Sequence, residues 1–154
     1  MERKAREVIQ NILYINLATV TSDGQPWNSP VYTAYDQDYN FYWTSWLENQ
    51  HSKNIAHNGL VYAVIYNSQA KEGEGLGVYM QGRAEVLETL DEILFAITLL
   101  RGRTNTELIQ ADPSHYQDNF PGRVYRFMPE SVWVNGDNDI EGNFIDIKHE
   151  IKLI

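Results

Sequence analysis

Apolar positions along the chain change period several times, and each change marks an element. Ala5, Val8, Ile9 and Ile12 recur at helical spacing, which predicts a short amphipathic helix over residues 2–12. From Leu13 to Thr21 the period falls to two, with Leu13, Ile15 and Leu17 on one side of a strand. Ser22-Asp23-Gly24-Gln25-Pro26 reads as a turn, with a glycine free for positive φ and a proline fixing the re-entry. Trp27–Tyr35 is then the returning strand, Asp36-Gln37-Asp38 a polar turn, and Tyr39–Ser45 a third strand. Glu48–Asn58 is predicted helical and stopped by Asn58-Gly59. Leu60–Tyr66 is an unbroken apolar run read as a buried strand. Asn67–Gly75 forms a polar loop, and Leu76–Leu87 an alternating strand whose Gly82 suggests a bend or close backbone approach.

The helical period returns at Thr89. Thr89-Leu90-Asp91-Glu92 has capping-box spacing, and Ile93, Leu94, Ile97 and Leu100 supply the buried stripe up to Gly102. Thr104-Asn105-Thr106-Glu107 is expected to cap a second short helix, and Asp112-Pro113 a third, with proline at its first position. Strand character resumes over Gly122–Phe127 and Ser131–Val134. Asn135–Asn143 reads as an acidic loop and Phe144–Ile151 as a last edge strand, whose Asp146, Lys148 and Glu150 discourage unwanted pairing. Six or seven strands, a meander and a few helices predict an α+β barrel in one domain spanning residues 1–154.

Composition narrows the chemistry. The chain has 12 basic and 21 acidic side chains, a net charge of −9 and no cysteine. Disulfides, thiolate metal sites and cysteine nucleophiles are excluded, and the composition suits a reducing compartment. Basic residues are too scarce and dispersed for a nucleic-acid surface. Neither a signal peptide nor a ~20-residue apolar run is found, so a soluble cytoplasmic protein with no membrane partner is expected. His51 and His57 lie on different helix faces and His115 and His149 stand alone, so no metal site is expected. The carboxylates of residues 137–141 miss the spacing of an EF-hand and read as a solvated turn. There is no Gly-x-Ser-x-Gly elbow and no strand–glycine loop–helix pattern, which excludes the usual hydrolase, Rossmann and P-loop readings. Ten tyrosines and four tryptophans suit barrel walls and an interface.

Several segments, taken in order, resemble one family. Leu17-Ala18-Thr19-Val20, Asp23-Gly24-Gln25-Pro26 and Ser29-Pro30-Val31 resemble the opening hairpin of the pyridoxamine-phosphate-oxidase-like FMN-binding split β-barrels. Phe41-Tyr42-Trp43-Thr44-Ser45 followed by Ser52-Lys53-Asn54-Ile55 is similar to that family's third strand and phosphate-binding helix. Gln81–Val86 and Val124–Pro129 with Val132-Trp133 are similar to later strands. The resemblance covers roughly residues 10 to 135. It implies an antiparallel split barrel, a homodimer with sites across the interface, and FMN, with deazaflavin or haem as the cofactors of other relatives.

Carried over residue by residue, the resemblance places the flavin's pyrimidine edge on Asn28, Ser29, Pro30 and Val31, and its phosphate on Thr44, Ser45, Ser52 and Lys53. A phosphate dianion calls for hydroxyls, helix-terminal N–H groups and a cation, and Lys53 is the one Lys or Arg between Glu7 and Ala70. It reads otherwise as an exposed helix lysine, and Thr44 and Ser45 as strand-end residues. Trp43 and Trp133, the latter from a second subunit, either shield the ring or pack in the barrel or interface. The sequence also departs from true pyridoxamine-phosphate oxidases. Ser29 and Ala34 replace two basic residues, Ser52 replaces the one before Lys53, and no Arg–His–Arg pattern follows Trp133. Vitamin B6 oxidation is therefore not expected. The expected function is an FMN-dependent oxidoreductase passing hydride or electrons between a reduced donor and a small-molecule substrate, with no catalytic residue assigned. The alternatives are a noncatalytic flavin or haem carrier or sensor, and a cofactor-free barrel.

Overall fold

The computed structural model describes residues 1–140 and 143–154. The chain runs α1 (Glu2–Asn11), β1 (Tyr14–Val20), β2 (Pro26–Tyr32), β3 (Ala34–Tyr35), β4 (Phe41–Trp46), α2 (Gln50–His57), β5 (Leu60–Tyr66), β6 (Gly77–Val86), α3 (Leu90–Thr104), a 3-10 turn (Pro113–Tyr116), β7 (Gly122–Ile140) and β8 (Asn143–Ile151). Every pairing is antiparallel, in the order β2-β1-β5-β6-β7-β4-β3, and β8 adds to β7. The result is an α+β split barrel.

The split arises at Thr33. The expected strand Trp27–Tyr35 is two strands: β2 pairs with β1 as far as Tyr14↔Tyr32, whereas β3 pairs with β4 through Ala34↔Tyr42. Thr33 is buried and its N–H donates to Leu13 O at 2.9 Å, so the chain changes partner there. Beyond that point β2 and β4 share no ladder, and a gap opens between them. Asp36 makes the next turn. Its carboxylate accepts from Asp38 N and Asn40 N, both 2.9 Å, and from Tyr42 Oη at 2.8 Å.

Alternation along the strands divides the core in two. Ile15, Leu17, Phe41, Trp43, Val61, Ala63, Val78, Met80, Tyr125 and Phe127 fill the barrel, closed at one end by Ala5 and Ile9 of α1. Tyr42, Leu87 and Val124 point outward and pack under Ile93, Ala96, Ile97 and Leu100 of α3. The helix begins as the capping box predicts: Thr89 Oγ1 accepts from Glu92 N at 3.3 Å. It continues through Gly102 to Thr104 and stops at Asn105, in the left-handed region at φ 52°. The second short helix that Thr104–Glu107 is expected to cap does not form, because Thr104 ends α3 and the residues after it bend away.

Gly82 is a close backbone approach, as predicted. A Cβ there would lie 2.0 Å from Met128 O, at the register shift between Gln81 and Gly82 that lets β7 carry Pro129. β7 does not end at Val134. Where an acidic loop was predicted, its backbone continues to Ile140 and pairs with β8 from Val132↔Ile151 to Ile140↔Asn143. Glu141, within that predicted loop, lies outside the described residues.

Buried polar side chains fix α2 on the barrel. Asn54, 1% exposed, donates from Nδ2 to Thr19 Oγ1 of β1 at 2.9 Å and accepts from Gln50 Nε2 at 2.8 Å. Thr19 is 2% exposed, so no solvent replaces the bond if it is lost. Asn54→Ala should cost about 1–3 kcal/mol in urea unfolding, the usual penalty for an orphaned buried polar group. Adding Thr19→Val should bring the total below the sum of the two single changes.

Candidate functional site

The gap between β2 and β4 is a groove of about 720 Å³. Pro30, Val31 and Tyr32 of β2 form one wall, and Thr44 and Ser45 of β4 the other. Asn49 and His51 at the start of α2 close one end, and Thr104, Thr106, Leu108 and Ile109 overhang it. A second hollow of about 410 Å³ continues past Thr44, Ser45 and Asn49 towards Trp46, Tyr116 and Phe120.

The polar end is a connected cluster. Ser45 Oγ accepts from Asn49 Nδ2 at 2.7 Å and lies 2.8 Å from His51 Nε2. His51 is 7% exposed, and burial lowers its pKa below the ordinary imidazole value, favouring the neutral ring. Asn49 is the N-cap of α2, so the cluster sits where the first helical N–H groups point outward. The overhang is held from behind. Tyr32 Oη bonds Leu100 O and Thr104 Oγ1, both at 3.0 Å, and Arg101 donates to Ile109 O.

The residues singled out in the sequence do not all meet at the groove. Pro30, Val31, Thr44 and Ser45 meet in the groove. Asn28 instead lines a shallow hollow on the outer face with Trp27, Tyr62 and Tyr66, while Ser29 Oγ accepts from Trp27 Nε1 at 3.1 Å. Trp43 is fully buried and stacks on Tyr125 with centroids 5.3 Å apart, so it is a barrel-core residue with no surface to lay against a ring. Trp133 stacks on Tyr62 across β5–β7, on the outer face and off the groove lining.

The phosphate candidates on α2 divide as well. Ser52 is 3% exposed, with its hydroxyl facing Tyr125 at less than full hydrogen-bond geometry. Lys53 is half exposed and pairs with Glu48 at 2.8 Å, a contact that holds the Glu48 carboxyl below its usual value. It is not among the groove-lining residues. Arg123 nearby is engaged with Asp118 O and Gly122 O. The lining thus presents hydroxyls, an amide and an imidazole, without Lys or Arg. Sequence reasoning missed Asn49, His51 and the 104–109 overhang. His51 had a detectable signal, since it precedes Ser52-Lys53 directly; the overhang had none.

The groove fits a flat ring carrying an anionic ester. The outer edge of β2 is unpaired and offers backbone groups, Leu13, Val31 and Ile109 are apolar, and the donors gather at the helix end. Among the described residues no group of acidic and histidine side chains could hold a metal ion, and no helix is long and apolar enough to cross a membrane.

Comparison with known proteins gives a consistent picture. Residues 1–135 match the sequence profile described as pyridoxamine 5'-phosphate oxidase. A search of curated proteins gave no significant match. A solved structure from Bacteroides thetaiotaomicron, assigned to 5-nitroimidazole antibiotic resistance, superposes with TM-score 0.71 at 13% identity, covering 87% of this chain and 82% of that one. A heme binding protein from Mycobacterium smegmatis gives 0.68 at 21% identity over 96% of this chain, which spans only 57% of its length. An F420 reductase gives 0.61 at 20% identity, over 82% and 94% of the two chains. At these identities the likeness is one of fold.

If Tyr32 holds the overhang, Tyr32→Phe should cost about 0.5–1.5 kcal/mol. Amide exchange should quicken at residues 104–109 while the barrel strands keep their protection.

Proposed function

Because the chain belongs to the pyridoxamine 5'-phosphate oxidase family, we propose that the β2–β4 groove binds FMN and that the protein is a flavin-dependent oxidoreductase. The observation that carries this reading is the meeting of Thr44, Ser45, Asn49 and His51 at the N-terminus of α2, opposite the unpaired edge of β2. Hydroxyl and amide donors at a helix start suit a phosphate ester, and the free edge suits the polar side of an isoalloxazine. Bound there, the flavin supplies hydride or electron transfer; the chain's own residues bind, orient and shield it. Lys53 supplies the cation by exchanging Glu48 for the phosphate, a rotation open to a half-exposed side chain. The imidazole of His51 and the phenols of Tyr14 and Tyr32 are the ionisable side chains on the lining, and none is assigned a catalytic step. No Arg–His–Arg pattern follows Trp133 to receive a substrate phosphate, and Ser29, Ala34 and Ser52 stand in place of basic residues, so vitamin B6 phosphates are not the proposed substrate.

The same reading includes a homodimer. Trp27 and Tyr66 are close to half exposed, and with Tyr62 and Val64 they form an apolar outer face over β2, β1 and β5. Trp133 lies on the same side of the sheet, where it could meet the groove of a second copy. A carrier or sensor of haem or deazaflavin is the second reading. It is favoured by a buried imidazole on the groove and by a heme binding protein and an F420 reductase sharing the fold.

Spectra separate these. Added FMN should bind in a dimer detected by sedimentation, with flavin fluorescence quenched and the bound flavin reduced by NADH or NADPH. A Soret band with added haem and no flavin binding would favour the second reading. Lys53→Ala should weaken FMN binding about tenfold, the weight of one charge-assisted contact, while Lys71→Ala leaves it unchanged. Equal affinities would remove Lys53 from the site.

A further inference from the structure

A groove meant for an anion normally presents a permanent cation, and this lining does not. The polar cluster contains something else. Ser45 Oγ has two lone pairs and one proton, and Asn49 Nδ2 already donates to it. What remains depends on His51. If Nε2 is unprotonated, the Ser45 hydroxyl donates to it and has no proton left for a ligand. If Nε2 carries a proton, the imidazole donates to Ser45 and frees that hydroxyl to donate into the groove. An imidazolium has both nitrogens protonated, so only the second arrangement survives.

Resting on the FMN reading above, we propose that His51 is a proton-linked anion receptor: the docking of a phosphate monoester draws a proton onto the ring and turns the Ser45 hydroxyl towards the ligand. The proton comes from solvent, and no covalent bond changes. The surroundings allow it. Tyr14, Tyr32, Thr44, Asn49 and Thr106 line the groove together with His51, and no carboxylate on the lining holds the ring charged beforehand. The charges of α2 and its approach are Glu48 and Lys53, paired in the free protein, and His57 at the far end; beyond the lining, Arg123 of β7 is the register partner of Ser45, and His115 lines the adjoining hollow. Burial keeps the free ring neutral at neutral pH. A dianion beside it acts in the opposite sense and raises its pKa. Affinity should therefore increase as pH falls from the value of the complex to that of the free protein, and level off below.

The phosphate itself titrates near pH 6, so the test compares unaltered protein with His51→Gln, which keeps the phosphate titration and removes that of His51. Gln keeps an amide able to reach Ser45. The ratio of FMN dissociation constants, variant over unaltered, should grow about tenfold from pH 8 to pH 6, the effect of one unit of pKa displacement. Ser45→Ala should reduce that growth. In the unaltered protein, the NMR titration of His51 should move to higher pH with FMN and stay in place with riboflavin, which lacks the ester. A constant ratio, with a His51 titration indifferent to FMN, overturns this proposal and leaves the groove a flavin site. Failure of FMN to bind at any pH overturns the flavin reading and this proposal with it.

Discussion

A single buried hydrogen bond, from Asn54 to Thr19, decides where everything at the groove's polar end stands. α2 is only eight residues long, and its side chains Ser52 and Ile55 alone would seat it loosely on the barrel rim. The amide–hydroxyl contact, both partners nearly without exposure, fixes its height and rotation against β1. With that rotation set, Asn49 and His51 fall on Ser45, which β4 presents from the opposite side. Polar groups are costly to bury unless satisfied, so they specify geometry more sharply than the apolar contacts around them.

The second constraint is the change of partner at Thr33. An antiparallel barrel with continuous pairing has no room between its strands for a ring-sized ligand. Here the chain leaves β1 after Tyr32 and joins β4 at Ala34, and the unpaired stretches on either side become the walls of the groove. Two of the wall residues directly follow core residues: Thr44 follows the buried Trp43, and Tyr32 follows Val31. Strand alternation places one in the barrel and the other outside, so the groove inherits the rigidity of the core.

Much of this was legible in the sequence, for identifiable reasons. Period-two runs located the strands, the capping box located α3, and Gly82 announced a close backbone approach that the Met128 carbonyl explains. The order of short motifs pointed to the split barrel, which the family match over residues 1–135 shows. Pairing was less legible. Nothing local in Trp27–Tyr35 says that Tyr32 and Ala34 belong to different partners, because that depends on strands many residues away. The acidic stretch after Val134 looked like a loop because polarity there hid the ladder with β8. Trp43 was ambiguous in kind: an aromatic residue beside Thr44 can face in or out, and only the register with Tyr125 settles it. Lys53 was found by scarcity, but its salt bridge to Glu48 was not foreseen.

β7 is the one strand that both halves of the barrel share. Its first residues pair with β4 and its middle with β6, so β4 has only the two-residue β3 beside it until Gly122–Phe127 arrives. During synthesis the first hundred or so residues can assemble α1, β1, β2, β5 and β6, yet β4 must wait for a segment about eighty positions downstream. Closure of the groove is therefore a late event of synthesis, and a nascent chain stopped before Gly122 should leave the β4 wall without its main partner.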